Sequence, residues 1–166
     1  MDAAKTSLHD FTVSDIDGNS ILLGSILKGK KAILVVNVAS ECGLTADNCS
    51  QLTQIHKDYN NQGLEIVGFP CNQFGAQEPG TNSEIKAFHS TKYASPYPIM
   101  SKVDVNGPNT AEVYQFLKQT VQPPVAEISW NFAKFLVNSE GKVVSYHDPD
   151  TEPNSILDQI KALLNA

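Results

Sequence analysis

Apolar and polar positions along the chain switch between two periods, and the switches mark its elements. Ala32–Ala39 is a continuous apolar, β-branched run, the pattern of a strand covered on both faces. From Thr45 to about Asn60, apolar Leu52, Ile55 and Tyr59 recur at helical spacing, and Gly63 closes that helix. Leu64–Phe69 is a second apolar strand, stopped by Pro70, and a loop rich in Asn, Gln and Gly follows over Cys71–Gly80. Thr81 and Glu84 have capping-box spacing and open a helix through Ile85 and Phe88. Pro98-Ile-Met leads to a short strand, Asn106-Gly107 to a turn and Ala111–Thr120 to another helix. Phe132–Asn138 and Lys142–Tyr146 bracket Ser139–Gly141 as a hairpin, and Ser155–Leu164 is a terminal amphipathic helix. Near the start, Phe11-Thr-Val and Ser20–Leu23 flank an Asp17-Gly18 step that predicts a further hairpin.

The order is hairpin, strand–helix–strand, helix, then hairpin and helix. A right-handed crossover makes the two apolar strands parallel neighbours. Their C-terminal ends then share one edge of the sheet, where open α/β sheets place their sites. The predicted architecture is α/β, a central mixed sheet flanked by helices, and it resembles the thioredoxin fold with an N-terminal β-hairpin extension. The loops carrying Cys42 and Cys71–Gln77 should face each other on that edge. With 166 residues and no repeat, low-complexity tract or linker, the expectation is one domain over residues 1–166.

Composition narrows the function. A hydrophobic fraction of 41% and a charged fraction of 18% are those of a folded protein. The formal charge of −6, with Lys28, Lys30 and Lys31 as the densest basic group, argues against nucleic acid or an anionic membrane surface. No apolar run comes near the ~20 residues that a bilayer requires. The first seven residues lack the apolar core of a signal peptide. The default location is therefore cytoplasmic, unless an upstream targeting segment has been removed. Cys42, Cys49 and Cys71 make an odd count, too few for a secreted disulfide framework. None lies in a CxxC pair and the histidines lack ligand spacing, so no metal is expected.

Cys42 carries the chemical argument. It follows a central strand and precedes a helix, whose unpaired N–H groups and dipole stabilise a thiolate, the reactive form. A cysteine mid-element usually just packs; one at this turn reads as a nucleophile, and Gly43 beside it leaves room for a substrate. Gln77 in the following loop has a bland reading as a solvated side chain. Trp130, the only tryptophan, has one as a core residue, although its indole N–H requires a partner when buried.

Four blocks then resemble a known family in order and spacing. Asn37-Val-Ala-Ser-Glu-Cys-Gly-Leu-Thr45, Val67-Gly-Phe-Pro-Cys-Asn-Gln-Phe74, Gln77-Glu-Pro-Gly80 and Trp130-Asn-Phe132 are similar to the glutathione peroxidases of the short, phospholipid-hydroperoxide or plant type. The similarity runs from about Phe11 to Leu164. It implies that Cys42 is the peroxidatic residue, with Gln77, Trp130 and Asn131 completing a catalytic tetrad of neutral donors. It also implies reduction of hydrogen peroxide and organic or lipid hydroperoxides through a sulfenic acid at Cys42. No resident cofactor is implied, only a thiol reductant, thioredoxin or glutathione. A peroxide sensor or redox relay that hands a disulfide to a partner protein would use the same residues.

The chain departs from the family at one position. Many plant members carry a resolving cysteine in a segment matching Phe88-His-Ser-Thr-Lys-Tyr93, where this chain has Ser90. Three readings stand: an engineered Cys→Ser trap, a selenocysteine enzyme in which Cys42 replaces selenium, or a natural form without this step. Cys71 and Cys49 are the remaining resolving candidates. Cys71 resembles a family position without a resolving role, and Cys49 lies two helical turns along its helix. That is ~10 Å from the helix start, against the ~7 Å between Cα atoms that a disulfide tolerates. A short Val121–Ser129 segment replaces the longer insertion of tetrameric members, which implies a monomer or weak homodimer with an open site. The chain is very poor in arginine, which weakens glutathione as the preferred reductant.

Overall fold

The structure is a computed structural model and describes residues 5–166. Residues 1–4, part of the stretch read for a leader, lie outside it. Strands β1 (Thr12–Ser14) and β2 (Ser20–Leu22) form the expected antiparallel hairpin. Asp15 makes its turn, its Oδ1 accepting the N–H groups of Asp17 at 3.0 Å and Asn19 at 2.9 Å. A short helix α1 (Leu23–Leu27) follows directly. The apolar run on Ile21–Leu23 read as strand alone, because its last residue turns inward as the first of that helix.

The main sheet runs in the order β4-β3-β5-β6, with β3 (Ala32–Val38), β4 (Leu64–Pro70), β5 (Lys134–Asn138) and β6 (Val143–His147). β3 and β4 are parallel, Val38 lying opposite Pro70, while β5 is antiparallel to β3 and to β6. The sheet is mixed, as expected. Every residue of β3 is buried, which is why its sequence shows no polar alternation.

Two cores result from the two-residue period. On one face Ile33, Val35, Val67, Phe69, Phe135 and Val137 pack with α1 and α4 (Glu112–Thr120). On the other Leu34, Val36, Leu64, Ile66 and Leu136 pack with α2 (Thr45–Tyr59) and α5 (Leu157–Leu164). A third helix on this second face, α3 (Asn82–Phe88), begins with the predicted reciprocal cap. Glu84 N–H donates to Thr81 Oγ1 at 3.2 Å and Thr81 N–H to Glu84 Oε1 at 3.1 Å. It runs on into a single π turn, His89–Tyr93, which carries Ser90. No helix among the described residues is long and apolar enough to cross a membrane.

Two further elements differ from expectation. The short strand after Pro98 amounts to single bridges, Ile99 with Gly68 and Met100 with Asp15. β5 starts at Lys134 instead of Phe132, because Phe132 sits at φ 67°, a left-handed conformation that a strand cannot contain.

Candidate active site

The predicted edge exists, and the two loops are stitched together across it. Pairing of β3 with β4 continues past the strands, Cys71 N–H donating to Val38 O at 3.1 Å. Further out, Glu41 N–H donates to Gln77 O at 3.0 Å. Cys42 lies at this junction, 9% exposed, and Leu44 N–H, at the cap of α2, donates to its sulfur at 3.4 Å. The residue's backbone is pinned as well. Cys42 N–H donates to Thr45 Oγ1 at 3.2 Å, and that hydroxyl donates to Ala39 O at 2.6 Å. A reduced thiol is thus held at a helix start with only its edge open.

Gln77, Trp130 and Asn131 come together beside it. Asn131 is fully buried, and its Nδ2 donates to Gln77 Oε1 at 3.0 Å and to Phe74 O at 3.5 Å. The Gln77 amide is thereby oriented, its oxygen occupied and its Nε2 left free to donate. The Trp130 ring is 37% exposed and leans on Phe74, with centroids 5.9 Å apart. Gly75 (φ 65°) lets the ring lie this close: a methyl there would stand 3.0 Å from the indole and 3.4 Å from Gln77 Nε2. Among the described residues, Leu44 N–H alone hydrogen-bonds the Cys42 sulfur; Gln77, Trp130 and Asn131 make no such bond to it. Gly43 is exposed, and a methyl on it would meet nothing within 4 Å.

The sequence reading missed two supports. Asn37 passed without a role inside the apolar run Ala32–Ala39, but it lies fully buried in β3. Its Nδ2 donates to Trp130 O at 3.1 Å and its carbonyl accepts Phe132 N–H at 2.7 Å, which holds the Trp130–Phe132 turn in its strained form. A polar residue inside a strand buried on both faces was the available signal. Glu78, quoted within a motif but given no role, is buried against Ser40.

The other thiols are sealed. Cys49 is fully buried on α2, and burial, with Glu78 nearby, pushes its thiol up to about 12. Cys71 is fully buried and packs in the opposite core from Cys42 and Cys49; burial raises its thiol also. Ser90 is exposed, its Oγ donating to Ala87 O at 3.2 Å. No group of three or more metal-ligating side chains occurs among the described residues.

A mixed sheet with a hairpin extension and a solitary thiol at a strand-to-helix turn define a redox protein of the thioredoxin-like class. The glutathione peroxidase profile matches residues 8–118. The chain is 52% identical over 165 residues to the Arabidopsis thaliana protein named phospholipid hydroperoxide glutathione peroxidase 1, chloroplastic, covering 99% of this chain and 69% of that one. It is 49% identical over 162 residues to glutathione peroxidase 1 of Helianthus annuus, covering 97% and 96%. The crystal structure of T. cruzi GPX1 superposes with a TM-score of 0.78 at 31% identity, over 97% of this chain and 98% of that one. The chain belongs to the glutathione peroxidase family, and it is a thiol peroxidase that reduces hydroperoxides.

Proposed function

We propose that Cys42 is the peroxidatic thiol, that Gln77 and Trp130 donate to its reaction, and that Asn131 completes the tetrad by orienting the Gln77 amide. The observation that carries this reading is the Asn131–Gln77–Trp130 cluster, whose Gln77 carbonyl is bonded to Glu41, the residue before Cys42. The Cys42 thiolate attacks the terminal peroxide oxygen, an S–O bond forms as the O–O bond breaks, and sulfur is oxidised by two electrons to a sulfenic acid. The departing alkoxide or hydroxide takes up a proton and leaves as alcohol or water. Neutral N–H donors aimed at that developing oxygen charge stabilise the transition state. In the free enzyme such contacts are often long and tighten only around substrate, which accords with donors that make no bond to the sulfur here. Replacing Asn131 by Ala frees the Gln77 amide; peroxide kcat/KM should then fall about 10- to 100-fold with the fold retained. Circular dichroism and initial rates on the same preparation check this.

The substrates proposed are hydrogen peroxide and bulky organic hydroperoxides, lipid ones included. The relative's name supports lipid hydroperoxides, and so does the half-exposed Trp130 ring resting on Phe74. For the reductant, a protein dithiol of thioredoxin type is favoured over glutathione. All 12 basic residues are lysine, leaving no arginine for glutathione carboxylates. A cavity of about 250 Å³ beside the Cys42 loop is lined by Glu41, Glu78 and Glu84, which repel an anion. The oxidised thiol has no exposed partner cysteine, which also favours the relay reading. The compartment is proposed as cytoplasmic, or organellar, as the Arabidopsis relative's name indicates for that protein.

Steady-state assays with thioredoxin and with glutathione, on the chain and on Ser90→Cys, test the second half-reaction. Restoring a thiol on the exposed π turn should raise thioredoxin-driven turnover roughly tenfold or more without changing the peroxide step. Fast turnover with glutathione alone overturns the reductant assignment. A stable mixed disulfide with one protein and no turnover with either reductant establishes the relay.

A further inference from the structure

We propose that Glu78 is a positioning residue for this reaction, its buried carboxylate clamping Ser40 and thereby fixing Cys42 against Gln77. The inference rests on the reading of Cys42 and Gln77 given above. Glu78 is 1% exposed, and its Oε1 accepts two bonds from Ser40, Oγ–H at 2.6 Å and N–H at 3.2 Å. Ser40 stands 38 residues away in sequence, two residues before the thiol. The Glu78 N–H donates to Asn72 Oδ1 at 2.9 Å, and the neighbouring Gln77 carbonyl accepts Glu41 N–H at 3.0 Å. The two catalytic loops are therefore joined by one side-chain clamp and one backbone bond, at adjacent residues on each loop.

The arrangement is costly, which argues that it is kept for a purpose. Oε2 has no hydrogen-bond partner and is closed to solvent. No cation pairs with this carboxylate among the described residues: the nearest influence, Lys102, commits its Nζ to Gly80 O at 2.6 Å. Burial raises the carboxyl, and the two Ser40 bonds oppose that rise. Bonds to an anion are shorter and stronger than neutral ones, and the 2.6 Å contact is of that kind. A pair of apolar residues would pack this junction more cheaply, but would not hold the Cys42 loop in one register. Displacing a reacting group by about 1 Å can cost about 100-fold in rate.

The experiment is stopped-flow measurement of the second-order reaction with hydrogen peroxide, read by the fluorescence of Trp130, the only tryptophan. Melting temperature is measured on each variant. Glu78→Ala should lose about 100-fold in that rate constant, with Glu78→Gln, which keeps an oxygen in reach of Ser40, recovering about tenfold of the loss. Ser40→Ala, a small change on the partner loop, should reproduce the Gln effect, and adding it to Glu78→Ala should cost nothing further. The loss should be equal for hydrogen peroxide and cumene hydroperoxide, because the clamp acts on the enzyme's own geometry. Melting temperatures that fall while the rate constants hold would overturn the inference in favour of a purely structural carboxylate. Full additivity of Ser40→Ala and Glu78→Ala would overturn it too. If Cys42→Ser is inactive while Glu78→Ala runs at full speed, the clamp alone fails; an active Cys42→Ser removes the reading beneath it.

Discussion

A Cys42→Ser variant is expected to lose hydroperoxide turnover by at least about 10³-fold, because it removes the only sulfur at the opening. The hydroxyl fits the same place: Leu44 N–H can still donate to it, and the backbone bonds through Thr45 are untouched. Stability should therefore hold while chemistry stops, which separates loss of a nucleophile from loss of fold. A serine oxygen near neutral pH is not ionised and cannot form a stable bond to peroxide oxygen. Coupled assays with excess thioredoxin, alongside a melting curve, decide the matter. Residual turnover within tenfold of the parent would show that another thiol carries the reaction, although Cys49 and Cys71 are both sealed and raised.

The second large effect is on acid stability, through His89. This ring is 2% exposed at the junction of α3 with the π turn, edge-on to Phe88, with Nδ1 3.3 Å from Ser95 Oγ and Nε2 unpartnered. Burial lowers it from 6.5 to about 4, so the folded protein holds the neutral ring where the unfolded chain would protonate. Below pH 6.5 the unfolded state binds more protons, and stability falls with pH until about 4, where the folded ring charges too. The full difference is on the order of 3 kcal/mol. Urea titrations should show that loss between pH 7 and pH 4, and His89→Leu should flatten the slope by a similar amount. An unchanged slope in the variant would mean that the charge is accommodated. Since the same turn presents Ser90, mild acid should loosen the segment on which the family's resolving thiol usually sits.

What could be read from the sequence follows the range of the forces involved. β3, β4 and the helix between them were legible because burial on both faces writes an unbroken apolar run, and because Gly63 and Pro70 punctuate it. The cap of α3 was legible because its partners, Thr81 and Glu84, are three residues apart. The position of Cys42 between a central strand and a helix start was legible because both elements are written locally. Other features depend on residues far apart in sequence. Ser40 and Glu78, or Asn37 and Trp130, meet only once the sheet has formed, and neither loop shows locally that it holds the other. Phe132 misled for a related reason: an aromatic beside a strand reads as strand, while its left-handed backbone is imposed by Asn37. Lys134 is the opposite case, a charge inside β5 that looks like the polar side of an alternation. It is fully buried, lowered to about 8, and its Nζ donates to Thr151 O at 2.6 Å, tying the loop before α5 to the sheet.

The placement of the three thiols has a consequence for timing. The sheet stands between Cys42 and Cys71 as a wall, and Cys49 is enclosed within α2's packing. If Cys42 is the peroxidatic thiol, the folded protein holds one two-electron oxidation at a time, with neither Cys49 nor Cys71 placed to discharge it. The interval between two peroxides is set outside the molecule, by how soon a foreign thiol reaches the opening. On that reading, abundant reductant would make the protein a scavenger, and scarce reductant would leave it marking that a peroxide has passed.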